Sequence, residues 1–435
     1  MADFPHTMTL EEVRTHIDHV DQQLLRLLNE RADLVHHVGE IKRKEGLEIY
    51  APDREERLLR KLVESNKEHK GRLPEKSIRA IYREIISAAL ALEQDLRIPF
   101  LGPAGSWTHQ AAISRFGNSV LYLPEASTED VFERVATQEA DYGVLPIEHS
   151  TEGAVYHTLD HLVESPLQIY AQFLWRTETV LMSNGPRDTV DYIYGHPQVI
   201  SQCRKWLAVN FPDAELREAP STSQAAAFAC EHPHSAALGT ALGAELQGLK
   251  IIATSIDDSA SQARFIILGR RPAPPTGNDH TLLMVTARDR VGTLLEILEA
   301  FVKQGINVRQ IENRPVPSDE SAAQSHVRFF LEVTGHCNDD NLKTALDEVV
   351  SDAMPSRSWA ATPPPTGQSE PSDTAFQRAP PALASPSAGS QPLPSQCSPM
   401  VPRGSVAEGD ARPIARACPR YFWRQPYTID IISIR

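Results

Sequence analysis

Four basic residues, Arg14, Arg31, Lys42 and Arg54, interrupt an apolar helical rhythm near the start of this 435-residue chain. At about 100° per residue, Arg31 and Lys42, eleven positions apart, return to nearly the same helix face. Arg14 precedes Arg31 by seventeen residues and falls roughly 100° off that face. Converging guanidinium and ammonium groups would bind an anion. A cavity that used Arg14, Arg31 and Lys42 together would need two long helices from different subunits. For any one of these residues alone, solvated surface charge is the plainer reading.

The rest of the composition sharpens this question. There are 43 basic and 57 acidic residues, a formal net charge of −14, which argues against a nucleic-acid-binding surface. An acidic chain that binds an anion must concentrate positive charge locally. The five cysteines are odd in number and none forms a C-x-x-C pair, so reduced thiols are expected rather than a disulfide framework or a zinc site. No apolar run approaches the roughly 18 residues that span a bilayer, and the first ten residues lack a signal-peptide pattern. A cytoplasmic protein without membrane partners is the expectation.

These basic residues must be positioned by long helices. Apolar residues recur at three- and four-residue steps from Leu10 to Ile41, predicting a first helix that Gly46 ends. A second should start at Pro52, and a third should run over residues 74–94. From Ile98 the rhythm changes to short strands (98–102, 120–123, 142–147, 168–174, 192–194, 236–239 and 265–269) alternating with helices (108–116, 129–138, 199–210 and 223–230). That alternation predicts an α/β sheet covered on its faces. A smaller β-α-β-β-α pattern follows over 280–286, 292–304, 306–312, 325–333 and 341–350. The domains expected are thus 8–96, 98–271 and 279–350. A Pro/Ser/Ala-rich tail, 355–435, reads as disordered. The last strand of the small domain is left open: either 427–434 supplies it or the domain is incomplete.

The helical segment resembles the AroQ class of chorismate mutases. The matching stretches are V-R-x-x-I-D at 13–18, E-R at 30–31, V-G-E-I-K at 38–42, I-Y-A-P-D-R-E at 49–55 and S-A-A-L-A-L-E at 87–93. The resemblance implies an all-helical homodimer that turns chorismate into prephenate without a cofactor. Arg31, Arg54 and Arg14 of the partner subunit would hold the substrate carboxylates. Lys42 would donate to the breaking ether oxygen, and Glu55 would accept from the ring hydroxyl. Many relatives have Gln where Glu93 stands, and Glu93 could donate only when protonated, which predicts a raised pKa. Ala51 and Ala89 occupy substrate-contact positions that are polar in some relatives.

In the α/β segment the loops carry the signal. F-L-G-P-A-G-S-W-T-H-Q-A-A at 100–112 and S-T-S at 221–223 each lead into a helix, whose free N–H groups suit a carboxylate. Plain helix capping is the alternative. Together with G-V-L-P-I-E-H-S-T-E-G (143–153), G-H-P-Q-V-I-S-Q-C (195–203), S-T-S-Q-A-A (221–226) and A-R-F-I-I-L-G (263–269), these segments resemble prephenate dehydratase. The resemblance implies two lobes in the manner of periplasmic binding proteins. It assigns Thr222 and Arg264 to catalysis, and Glu148, His149, Gln202, Ser221 and Ala263 to substrate contact. Three positions depart from the family pattern. Ala263 stands for a threonine, His149 for an asparagine and Gly195 for a serine. A dehydratase of reduced activity and a domain that only binds are both left open.

The smallest segment resembles the ACT domain, a ferredoxin-like α+β fold that commonly binds amino acids. R-V-G-T-L-L-E-I-L (290–298) and I-N-V-R-Q-I-E-N-R-P (306–315) carry the likeness. It implies phenylalanine as effector, with Glu312, Asn313 and Arg314 as contacts.

Overall fold

The computed structural model describes residues 8–272, 274–315, 326–350, 353–354 and 427–430. Its first element, α1 (Leu10–Glu45), opens on a capping box. The Thr9 side chain accepts from the Glu12 amide, and the Glu12 carboxylate accepts from the Thr9 amide. α2 (Pro52–Glu68) starts with proline in its first turn, where a missing N–H costs nothing. α3 (Glu75–Glu93) packs on both. Along α1 only Gly39 is fully buried. Leu10, Val13, Ile17, Val20, Leu24 and Leu28 stay exposed, a long apolar stripe with nothing over it among the described residues.

Three residues after α3 the chain enters β1 (Arg97–Leu101), followed by α4 (Trp107–Phe116), β2 (Leu121–Glu125), α5 (Thr128–Ala136), β3 (Gly143–His149), β4 (Gly153–Ala154), α6 (Tyr156–Glu164) and β5 (Gln168–Thr177). The second lobe holds β6 (Val180–Ser183), β7 (Tyr192–Gly195), α7 (Pro197–Gln202), α8 (Arg204–Asn210), β8 (Glu215–Glu218), α9 (Thr222–Glu231), β9 (Ser235–Gly239), α10 (Ala241–Leu246) and β10 (Lys250–Ala253). β11 (Ser261–Gly269) then returns to the first lobe. Its sheet has the order β2-β1-β3-β11-β5 with β4 on β3, and the second lobe's sheet has the order β10-β6-β9-β7-β8. The chain crosses between lobes twice, after β5 and before β11, the arrangement of a two-lobed binding fold.

The third sheet contains β12 (His280–Arg288), β13 (Val308–Pro315), β14 (His326–Thr334), β15 (Ala353–Met354) and β16 (Tyr427–Asp430), with α11 (Thr293–Lys303) and α12 (Asp340–Val350). β16 lies antiparallel to β12 at residues 284–287. Of the two alternatives left open for the last strand, this pairing matches the one in which the segment near 427 supplies it. The remaining tail positions lie outside the described residues.

Strand alternation in the first lobe decides where everything else goes. One face carries Phe100, Tyr142, Val144, Tyr170, Phe173, Ala263, Phe265 and Ile267, which form one core with Tyr50, Leu59, Ile86 and Leu90 of the helical domain. The other face carries Leu145, Ile147, Ile169, Ile266 and Leu268, which pack with Leu282, Met284 and Phe330 of the third sheet. One sheet thus carries the helices of residues 10–93 on one face and the third sheet on the other. No helix among the described residues is long and apolar enough to cross a membrane.

Candidate active sites

A cavity of about 120 Å³ opens where α1, α2 and α3 meet, lined by Arg31, Lys42, Arg54, Glu55 and Glu93 with Ala51, Ala89 and an apolar wall that includes Val35, Ile86 and Leu90. Helical periodicity brings Arg31 and Lys42 in from α1, and the first turn of α2 supplies Arg54 and Glu55. Lys42 Nζ donates to the Ile49 carbonyl at 2.5 Å. Burial lowers the Lys42 pKa, and the nearby Glu93 carboxylate opposes that. Arg14 lies roughly 26 Å further along α1 and lines no part of this cavity within one chain.

The two acids differ in their partners. Glu55 is buried and accepts from Arg83 Nη1 at 2.8 Å. Burial raises its pKa, while the charges of Arg83, Arg115 and Lys42 pull it down. Glu93 is also pushed up by burial, against Lys42, Arg43, Arg54 and Arg31. Its Oε2 is buried with no hydrogen-bond partner. Gly39 makes room for it, since a Cβ there would come within 3.0 Å of Glu93 Cγ. The sequence reading missed Gly39 and Arg83. A signal for Arg83 was present in Arg79 and Arg83, one helical turn apart, which meet the consecutive acids Glu56 and Glu55.

In the two-lobed domain, Ser106 caps α4 by accepting from the His109 amide, and Ser221 caps α9 by accepting from the Gln224 amide at 3.1 Å. Both hydroxyls therefore serve as helix caps. The turn at 102–105, between β1 and α4, also reaches the second lobe. Ser223 Oγ donates to the Ala104 carbonyl at 2.7 Å, and Thr240 Oγ1 donates to the Gly105 carbonyl at 2.5 Å. Thr222 sits buried at the start of α9. Gln202 ends α7, where its carbonyl accepts from the Asp258 amide at 2.8 Å. Gly195 has no room for a side chain, because a Cβ there would lie 2.9 Å from Ile200 and 3.0 Å from Leu238.

His149, Ala263 and Trp175 form one row across β3, β11 and β5. Ala263 is fully buried, and the Trp175 indole N–H is buried without a partner. Burial lowers the His149 pKa, with Glu152 and Glu148 opposing. Glu148 and Arg264, assigned by the same resemblance, point to the other face of the sheet. Side chains alternate along a strand, so the residues adjoining His149 and Ala263 face the third sheet. Arg264 pairs with Glu148 at 2.7 Å and with Glu332, and donates to Gln310 at 2.7 Å. Glu332 also accepts from His280 at 2.9 Å. Burial would raise the Glu332 pKa, but His280 and Arg264 outweigh it and hold it at about 2. Glu312 and Arg314 face the first lobe, where Tyr156 donates to Glu312 and Arg314 pairs with Asp160, while Asn313 is exposed.

The family profile for chorismate mutase type II matches residues 13–94, and the profile for prephenate dehydratase matches residues 98–273. A bifunctional chorismate mutase/prephenate dehydratase of Aquifex aeolicus is 39% identical over 343 residues, covering 78% of this chain and 94% of that protein. The structure of a prephenate dehydratase from Arthrobacter aurescens in complex with L-Phe is 30% identical with a TM-score of 0.56. The match covers 62% of this chain and 90% of that one. GqqA, described as a quorum quenching acylase, is 25% identical with a TM-score of 0.55 and covers 62% and 98% of the two chains.

The Glu332 pairing has a pH signature. Its folded-state pKa lies below the ordinary 4.5, so the stability it adds is present above pH 4.5 and is lost as pH falls toward 2. The difference in unfolding free energy between wild type and Glu332→Gln should shrink over that interval. A difference independent of pH in denaturant melts would remove Glu332 as its source.

Proposed function

Because the chain belongs to the family of bifunctional chorismate mutase/prephenate dehydratases, we propose that its helical domain rearranges chorismate to prephenate and its two-lobed domain converts prephenate to phenylpyruvate. The observation that carries the first half is the cavity joining Arg31, Lys42 and Arg54 to an unpartnered Glu93 carboxyl. The rearrangement is pericyclic and needs no nucleophile. The protein must hold a flexible dianion in its compact conformer and stabilise the negative charge that grows on the ether oxygen. Arg31 and Arg54 take the carboxylates, Lys42 and protonated Glu93 face the ether oxygen, and ionised Glu55 accepts from the ring hydroxyl. Ala51 and Ala89 leave room beside them.

Arg14 joins this set from a second subunit. The exposed apolar stripe of α1 supports a homodimer, since so long a helix face is costly to leave in water. The domains then run over 8–96, 98–271 and 279–350, the last completed by 353–354 and 427–430.

In the second reaction the ring carboxylate leaves as carbon dioxide and the ring hydroxyl as water. Thr222 and the helix N-termini behind Ser106 and Ser221 suit the carboxylates, and Gln202 lies on the same lobe as α9. Ala263 removes the hydroxyl that the family carries, and His149 beside it is the nearest titratable group in the row. A second reading, in which the two lobes bind prephenate without turning it over, is favoured by the buried methyl of Ala263. Phenylalanine is the effector in this proposal, acting near Glu312 and Arg314.

Three measurements test these assignments. Arg14→Ala and Arg31→Ala should each lose mutase activity by about 10²-fold or more, and mixing the unfolded variants and refolding should restore about a quarter of wild-type activity, through heterodimers with one intact site. Mixtures as inactive as the parents would exclude a shared site. Mutase kcat/KM should fall as rising pH deprotonates Glu93, and Glu93→Gln should flatten that limb; identical profiles would rule out Glu93 as a donor. Finally, Ala263→Thr should raise single-turnover phenylpyruvate formation by roughly tenfold or more, and no rise would count against this account of β11.

A further inference from the structure

The segment between α1 and α2 belongs to the helical domain by sequence but is held by the first lobe. Tyr50 is fully buried, with ring centroids 4.7 Å from Phe116, 5.4 Å from Tyr142 and 6.1 Å from Tyr170. Its carbonyl accepts from Tyr170 Oη at 2.8 Å. Its hydroxyl accepts from Arg115 Nε at 2.8 Å, and Arg115 Nη2 donates to the Pro52 carbonyl at 3.4 Å. Arg115 lies in the last turn of α4, outside the helical domain. It ion-pairs with no carboxylate among the described residues.

What that guanidinium grips is the part of the chain that builds the mutase cavity. Ile49, one residue before Tyr50, provides the carbonyl that fixes Lys42 Nζ. Ala51 lines the cavity, and Pro52 starts the helix that carries Arg54 and Glu55. We propose that Arg115 is a positioning residue of the mutase site, a cation lent by the dehydratase lobe that clamps Tyr50 and Pro52 and faces Glu55. This proposal rests on the chorismate mutase reading above and deepens it.

The charge of Arg115 matters as well as its hydrogen bonds. Three cations face the buried Glu55 carboxylate from three elements: Lys42 from α1, Arg83 from α3 and Arg115 from α4. The neighbouring Glu56 is taken up by Arg79 at 3.2 Å. Each of the three cations offsets the burial that pushes the Glu55 pKa up. Removing Arg115 should therefore leave Glu55 protonated over more of the acid range, where it no longer accepts from the ring hydroxyl.

The test uses the full-length chain and three variants. Arg115→Met removes both the grip and the charge, Arg115→Lys keeps the charge, and Tyr50→Phe removes one hydrogen bond alone. Mutase kcat should fall about tenfold to a hundredfold in Arg115→Met, with a smaller change in KM, and the acid limb of its pH profile should move to higher pH. Arg115→Lys should lower kcat but keep the limb near wild type, and Tyr50→Phe should do the same more weakly. A folded Arg115→Met with wild-type kcat and an unmoved limb would overturn the proposal. If Arg115→Met does not fold, wild-type kcat in both Arg115→Lys and Tyr50→Phe would overturn it. Absence of mutase activity in the wild type would instead refute the underlying reading, so the two failures are distinguishable.

Discussion

The alternation of side chains along one sheet is the constraint on which the rest of this molecule depends. A strand presents successive residues to opposite faces, and both faces of the first-lobe sheet are apolar. Each face therefore recruits its own cover, the helical domain with α4 on one side and the third sheet with α5 and α6 on the other. Two consecutive residues of β11 can then belong to different domains' business. Ala263 sits in the row with His149 and Trp175, while Arg264 reaches Glu332 and Gln310 behind the sheet.

Three buried carboxylates show how local geometry decides charge in an acidic protein. All three lose hydration, which favours the protonated form. Glu332 gains hydrogen bonds from His280 and Arg264 directly, and this reverses the burial effect. Glu55 has one such bond, from Arg83, and the other cations act on it at longer range, so burial still prevails. Glu93 has cations nearby but an oxygen without a partner, and burial prevails there too. Direct hydrogen bonds, more than the count of nearby charges, separate a structural ion pair from a carboxyl free to carry a proton.

Much of this was legible in the sequence where periodicity was long. The three helices of the first domain lie within a residue or so of the positions that apolar spacing, Pro52 and Gly46 predict. Residues that share a helix stripe, such as Arg31 and Lys42, could be grouped because eleven positions return to one face. Short elements of the second lobe, β6, β8 and β10, escaped notice, whereas β7, equally short, was legible in its run of aromatic and β-branched residues at 192–194. The direction of Arg264 was readable in principle from its adjacency to Ala263, since neighbours on a strand point to opposite faces. Arg115 was not readable at all, since its contacts with Tyr50 and Pro52 span more than sixty positions.

The passage from α3 to β1 takes only residues 94–96. A fully extended stretch of that length reaches no more than about 11 Å. So short a link holds the end of α3 within that distance of β1, and Tyr50 keys the helical bundle into a socket of aromatic rings. A gene exchange that replaced the bundle alone would bring a loop cut for a different socket. A change in size at Tyr50 would have to be met by a change among Phe116, Tyr142 and Tyr170.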